Sequence, residues 1–61
     1  MLMIGDRVTI MQSSQDWLIG KTGQVSRIRI DSRFNLLLIV VRLHGVDYFL
    51  KESDIKILPK I

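Results

Sequence analysis

The sequence contains no cysteine, which excludes disulfide bonds and thiolate zinc sites within this chain of 61 residues. It contains one histidine, His44, so its residues cannot supply a cysteine–histidine pair or a cluster of histidine ligands. The longest apolar run, 36–41, is far shorter than the about 20 residues that cross a bilayer as a helix. From these absences we expect a protein that is not an enzyme and has no catalytic residues, metal or cofactor.

Apolar residues are abundant instead, at 48% of the chain, and the mean hydropathy is +0.26. A chain of this length has room for one domain, 1–61, which must pack densely because small domains bury a limited share of their surface. Nine Lys and Arg against six Asp and Glu give a net charge of +3. This balance mildly favours acidic partners, which include nucleic acid, anionic lipid and acidic proteins, without choosing among them.

Alternation of apolar and polar residues with period two predicts strands along the chain. In the run "RVTIM" Val8 and Ile10 share one face, and in "IKI" near the end Ile55 and Ile57 do the same. No segment has the periodicity of an amphipathic helix. Five short strands joined by tight turns predict an all-β fold, a small five-stranded antiparallel barrel.

One strand has an interruption in its alternation. Val25 is at an odd-numbered position and Ile28 and Ile30 are at even-numbered ones, so a regular strand would place Val25 on the opposite face from the two isoleucines. A bulge near residues 26–27 would bring all three apolar side chains inside and bend the strand, as small barrels require.

The next two strands, "LLLIVVRL" and "VDYFL", flank His44-Gly45, with glycine where a two-residue primed turn needs a positive φ. That turn fixes the register, in which Arg42 faces Asp47 as a cross-strand ion pair. The apolar residues at alternate positions are then expected to pair on the core side: Leu43 with Val46, Val41 with Tyr48, and Ile39 with Leu50.

The letters "GKT" at 20–22 also end a nucleotide-binding phosphate loop. That motif requires an earlier glycine at position 15, where this chain has Gln15, and a helix after the loop. The following "GQVSRIRI" has a strand pattern, so no helix N-terminus is available for a phosphate. We therefore interpret Gly20 and Gly23 as residues that frame a turn and allow close backbone approach.

The hairpin register leaves further apolar residues pointing outward, although a strand with one wet face should carry polar residues there. Either the loop at 11–20 covers this face with Trp17 folded over it, or the face docks on a partner. The candidate docking patch consists of Leu36, Leu38, Val40, Phe49 and Trp17.

Basic residues are concentrated between positions 21 and 42, where Asp31 is the only acidic residue. Such residues either form a solvated strand face or bind the phosphates or carboxylates of a partner. The candidate basic face consists of Lys21, Arg27, Arg29, Arg33 and Arg42.

The stretch "GDRVTI", followed after a loop by "GKTGQV" and a hydrophobic strand, resembles the KOW motif of SH3-like barrels. This motif occurs in ribosomal proteins and transcription elongation factors. The resemblance implies an SH3-like barrel and, as an alternative function, RNA binding within the ribosome or transcription machinery.

The order "IGDRVTI", "DWLIGKTGQV", "VVRLHGVDYFL" and "ESDIKIL" also resembles the small SH3-like proteins of oxygenic photosynthetic membranes. These are the E subunit of photosystem I, the ferredoxin–thioredoxin reductase variable chain and the small peripheral cytochrome b6f subunit. Their barrels are not catalytic but dock on a larger complex from the stromal or cytoplasmic side. The chain lacks the long loop that the photosystem I protein has between its last strands.

This second resemblance implies an accessory subunit of a thylakoid electron-transfer complex, cytoplasmic or stromal and peripheral to the membrane. Its contact with the membrane would be indirect, through the complex. The outward apolar patch would face the complex. An acidic electron carrier such as ferredoxin would meet the arginines at positions 27, 29, 33 and 42.

Overall fold

The computed structural model describes residues 2–59. Two 3₁₀ turns, Asp16–Leu18 and Glu52–Asp54, lie between strands, and these described residues form no α-helix. The predicted all-β class is therefore confirmed. The five strands are β1 (Arg7–Ile10), β2 (Thr22–Asp31), β3 (Leu36–Leu43), β4 (Val46–Lys51) and β5 (Ile55–Ile57).

The five strands form one sheet in the order β4-β3-β2-β1-β5, and every neighbouring pair is antiparallel. The chain thus meanders from β1 to β4, and the turn at Glu52–Asp54 then leads to β5 at the opposite edge. Main-chain N–H groups of Met11 and Gln12 donate to the Asp54 carbonyl, which ties the loop after β1 to this turn. β4 and β5 remain the two edges, so strand pairing does not close the sheet into a barrel.

The hydrophobic core lies on one face of this sheet. Val8 and Ile10 are completely buried there, as their alternation in β1 predicts. Leu18 reaches the core from the loop between β1 and β2 and is 1% exposed. The remaining buried members come from the three longer strands: Val25, Ile39, Val41, Leu43 and Leu50.

The predicted hairpin register between β3 and β4 is confirmed at every pair, from Leu43 opposite Val46 to Ile39 opposite Leu50. His44 and Gly45 both have positive φ, at 52° and 78°, as a primed two-residue turn requires. The expected bulge in β2 is also present, because the register with β3 shifts between Val25 and Arg27.

Three predictions about single residues of β2 and β4 are wrong. Val46 is 51% exposed and Ile30 is 76% exposed, although alternation predicts both in the core. Each lies at the turn end of its hairpin and is exposed although its partner, Leu43 or Leu37, belongs to the core or packs against it. Gly23 does not frame a turn, because β2 begins at Thr22 and Gly23 pairs with Val8 inside the sheet. The expected close backbone approach at Gly23 is confirmed, since a Cβ there would lie 2.9 Å from the Arg42 carbonyl oxygen.

Candidate functional site

The side of β2, β3 and β4 opposite the core, which we call the outer face, combines the two surfaces predicted separately from the sequence. Its centre is a column of apolar residues on alternate positions of β3. The register places a basic residue of β2 on one side of this column and a β4 residue on the other. The rows are Arg27–Val40–Phe49 and Arg29–Leu38–Lys51, with Asp31 opposite Leu36 beyond them.

The apolar column is buried to a different depth at each position. Val40 is 3% exposed, although it lies on the outer face and outside the core cluster. Leu36 and Leu38 are half-buried. Phe49 is 61% exposed, so the largest apolar side chain of the outer face is also its most exposed one.

The bulge in β2 puts the arginines on this face. Side chains alternate between the two faces of a strand, so a shift of one residue reverses the side on which each one lies. Because the register shifts between Val25 and Arg27, Val25 faces the core while Arg27 and Arg29 face outward. The hydroxyl of Ser26 donates to the Val40 carbonyl at 3.3 Å within the bulge.

Arg42 lies on the outer face but is engaged within the chain. Its Nε donates to Asp47 Oδ1 at 2.8 Å and its Nη2 donates to Oδ2 at 3.2 Å. The hydrogen bond from Arg42 lowers the pKa of the Asp47 carboxyl below its usual value, and the charge of Arg27 contributes in the same direction. The Asp47 carboxylate therefore offsets the positive charge of Arg42.

Arg33 lies in the turn between β2 and β3, and its Nε is 3.4 Å from Asp31 Oδ1. Its guanidinium also lies 5.6 Å from the centre of the Phe34 ring. In contrast, Arg27, Arg29 and Lys51 are exposed and form no ion pair with another described residue. These three are the basic groups of the outer face that no described carboxylate pairs with.

The structure does not bring Lys21 and Trp17 to the outer face. Lys21 precedes β2 and is six positions away from Arg27, which is about 20 Å along an extended strand. The ring of Trp17 packs edge-on against Tyr48, with centroids 5.6 Å apart. Tyr48 pairs with Val41 on the core side, so Trp17 does not cover Leu36–Val40.

Lys51 is a residue of this face that the sequence reasoning missed. Its parity with Asp47 and Phe49 in "VDYFLK" is the signal that could have identified it. It stands opposite Leu38 and is the basic residue that β4 contributes to the outer face. A shallow depression of about 440 Å³ adjoins this end of β4 and is lined by Gln12–Ser14, Phe49–Lys51 and Asp54.

Within residues 2–59, no three His, Asp or Glu side chains come together as a group that could hold a metal ion. His44 is exposed in the hairpin turn between β3 and β4. No helix of this described part of the chain is long and apolar enough to span a bilayer. Comparisons with protein-family models, curated proteins and solved structures found no match to the chain.

Proposed function

We propose that this chain is an SH3-like barrel that acts as a non-enzymatic accessory subunit and docks on a larger protein complex through its outer face. The observation that carries the proposal is the exposure of Phe49 on β4, on the same face as Arg27 and Arg29 of β2, with buried Val40 of β3 between Phe49 and Arg27. Protein interfaces commonly have an aromatic anchor near the centre and charged groups at the rim. A partner surface with an apolar pocket and acidic residues beside it would match this face.

The strand order β4-β3-β2-β1-β5, with a 3₁₀ turn before the last strand, supports the SH3-like part of this proposal. The bulge in β2 and the core on one face of the sheet are also features expected of a small barrel. The sequence resemblance to the small SH3-like proteins of photosynthetic membranes makes a thylakoid electron-transfer complex our candidate for the assembly. The chain would then lie on the cytoplasmic or stromal side, and an acidic carrier such as ferredoxin would be a second partner.

Binding of RNA is the weaker candidate. The exposed ring of Phe49, on the same face as Arg27 and Arg29, could stack on a base, which favours RNA binding. Two of the five predicted basic residues, Arg33 and Arg42, are instead paired with aspartates of the chain. These pairs reduce the positive charge available for phosphates, and RNA binding depends strongly on that charge.

The proposal can be tested by recovering the partner of the tagged chain from its native lysate, including detergent-solubilised membranes, with and without nuclease. We expect a defined electron-transfer complex of several chains that resists nuclease. Recovery of ribosomal or polymerase components that disappear with nuclease would instead establish the RNA alternative.

Charge reversal then tests whether the outer face is the interface. The double variant Arg27→Glu/Arg29→Glu should weaken binding of the purified complex by about tenfold or more, because like charges across an interface are strongly unfavourable. Lys21→Glu/Lys56→Glu is the matched control, since it changes the net charge equally at exposed positions off the outer face. If both double variants bind alike while remaining folded, the outer face is not the docking surface.

A further inference from the structure

The outward edge of β4 carries main-chain hydrogen-bonding groups that no neighbouring strand satisfies. In a two-residue hairpin the residues flanking the turn, here Leu43 and Val46, are hydrogen-bonded to each other, and this bonding then recurs at every second pair. The N–H and C=O groups of the intervening residues therefore point away from β3: Asp47, Phe49 and Lys51. The Lys51 N–H confirms this direction, because it donates to Asp54 Oδ2 at 3.2 Å.

The edge is also open. β4 is the last strand of the sheet order, and a depression of about 440 Å³ separates Phe49–Lys51 from the loop residues Gln12–Ser14, so no strand occupies the space along its C-terminal half. Unpaired strand edges readily accept another strand, and natural proteins usually protect them. β4 contains no proline and no bulge that would do so, and its charged residues on the outer face, Asp47 and Lys51, have opposite signs.

We infer that this edge pairs with β4 of a second copy of the chain, antiparallel across a two-fold axis, with Phe49 opposite Phe49 of the second copy. In this register Asp47 of each copy lies opposite Lys51 of the other. The three side chains share the outer face, so the dimer would place two ion pairs around a central pair of aromatic rings. Opposite charges and aromatic pairs directly across two strands are both stabilising.

The charges on β4 favour this register over the other antiparallel registers in which the main-chain groups of Asp47, Phe49 and Lys51 form the hydrogen bonds. A register centred on Asp47 would oppose two carboxylates, and one centred on Lys51 would oppose two ammonium groups. Registers centred on Tyr48 or Leu50 would place Phe49 opposite a charged residue, Asp47 or Lys51, and would form no ion pair between these residues. Like charges directly opposite each other destabilise a strand pair. Only centring on Phe49 gives self-complementary charges, which is what an isologous two-fold interface needs.

The Phe49-centred register is compatible with the bonds already made within each copy. The Asp47 carboxylate keeps its hydrogen bonds from Arg42 and would lie between Arg42 and Lys51 of the other copy. The N–H of each Phe49 would donate to the C=O of the other Phe49, and the N–H of each Asp47 to the C=O of the opposite Lys51. The Lys51 N–H can keep its bond to Asp54. The two outer faces would lie on the same side of one continuous sheet, because the two-fold axis is perpendicular to it. A second copy would also cover Tyr48, which is half-buried in the single chain.

Sedimentation velocity of the full chain over a range of concentrations tests this inference. The wild-type chain should be a dimer at high concentration and dissociate on dilution. Lys51→Glu and Asp47→Lys each place like charges across both ends of the strand pair, so each variant alone should dimerise at least about tenfold more weakly, which corresponds to about 1.4 kcal/mol. Lys56→Glu, an equal change of charge on β5, should dimerise like the wild-type chain.

An equimolar mixture of the Lys51→Glu and Asp47→Lys variants tests the proposed register most directly. Across the mixed pair, the unchanged Asp47 of one variant faces the unchanged Lys51 of the other, and the introduced glutamate faces the introduced lysine. The mixture should therefore form a heterodimer. Circular dichroism establishes that each variant is folded.

Three results would overturn the inference. The first is a wild-type chain that stays monomeric at all concentrations. The second is dimerisation that survives Lys51→Glu unchanged, and the third is a mixture that associates no more tightly than its separate components.

Discussion

At the scale of single residues, Gly23 allows two strands to approach closely, although the sequence around it resembles a turn. It lies in a stretch that resembles a turn, yet it is buried in β2 close to the paired strand β3. A Cβ at this position would lie 2.5 Å from Val41 Cγ1 and 2.9 Å from the Arg42 carbonyl oxygen. The carbonyl belongs to the main chain of a paired strand, so it cannot move aside as the end of a flexible side chain could.

Gly23→Ala should therefore lower the free energy of unfolding by about 1–3 kcal/mol, the usual cost of overpacking a core. Urea unfolding followed by circular dichroism measures this change. Lys21→Ala, two residues away and exposed, is the control and should change stability by less than about 0.5 kcal/mol. Equal stability of the Gly23→Ala variant and the wild-type chain would contradict the close approach of β2 and β3 at this point.

At the scale of elements, sequence alternation correctly predicts which face each residue of the hairpin occupies. Arg42 faces Asp47 and Ile39 faces Leu50 because a two-residue turn leaves one register that keeps apolar residues together. Alternation does not reveal where the core ends along a strand. Val46 and Ile30 occupy positions that alternation assigns to the core side, but they lie at hairpin ends and are exposed.

The candidate site shows even more clearly what alternation along one strand cannot reveal. The sequence indicates the apolar patch and the basic face as two separate features. Their union on one face depends on the pairing of β2 with β3 after the bulge, which brings Arg29 beside Leu38. Pairing between strands is a non-local property, so spacing along one strand could not show it. The position of Trp17 against Tyr48 is likewise set by how the loop folds back.

The turn between β3 and β4 provides a prediction about an element. His44 has a φ of 52°, in the left-handed region, where β-branched residues are strained and asparagine is well tolerated. His44→Val should reduce the free energy of unfolding by about 1–2 kcal/mol, whereas His44→Asn should leave it equal or slightly higher. Both substitutions remove the imidazole, so the asparagine variant controls for its loss. Urea unfolding in which the two variants are equally stable would show that His44 does not need this conformation.

At the scale of the whole molecule, the small size of the chain makes each core residue important. Stability of about 0.05–0.15 kcal/mol per residue gives a chain of this length a total of about 3–9 kcal/mol. Much of its core comes from the sheet, but Leu18 comes from the loop between β1 and β2. The start of that loop also bonds to Asp54, so the loop is held both by the core and by the turn before β5.

Leu18→Ala should lower the free energy of unfolding by about 2–5 kcal/mol, because a completely buried leucine leaves a cavity when it is truncated. That loss is a large part of the total, so the variant should show a markedly lower midpoint in thermal and urea unfolding. Ile19→Ala is the matched control, since the neighbouring Ile19 is 46% exposed and Leu18 is 1% exposed. Its effect should stay below about 1 kcal/mol, the usual range for an exposed position. If the two substitutions destabilise the chain equally, Leu18 does not anchor the loop in the core.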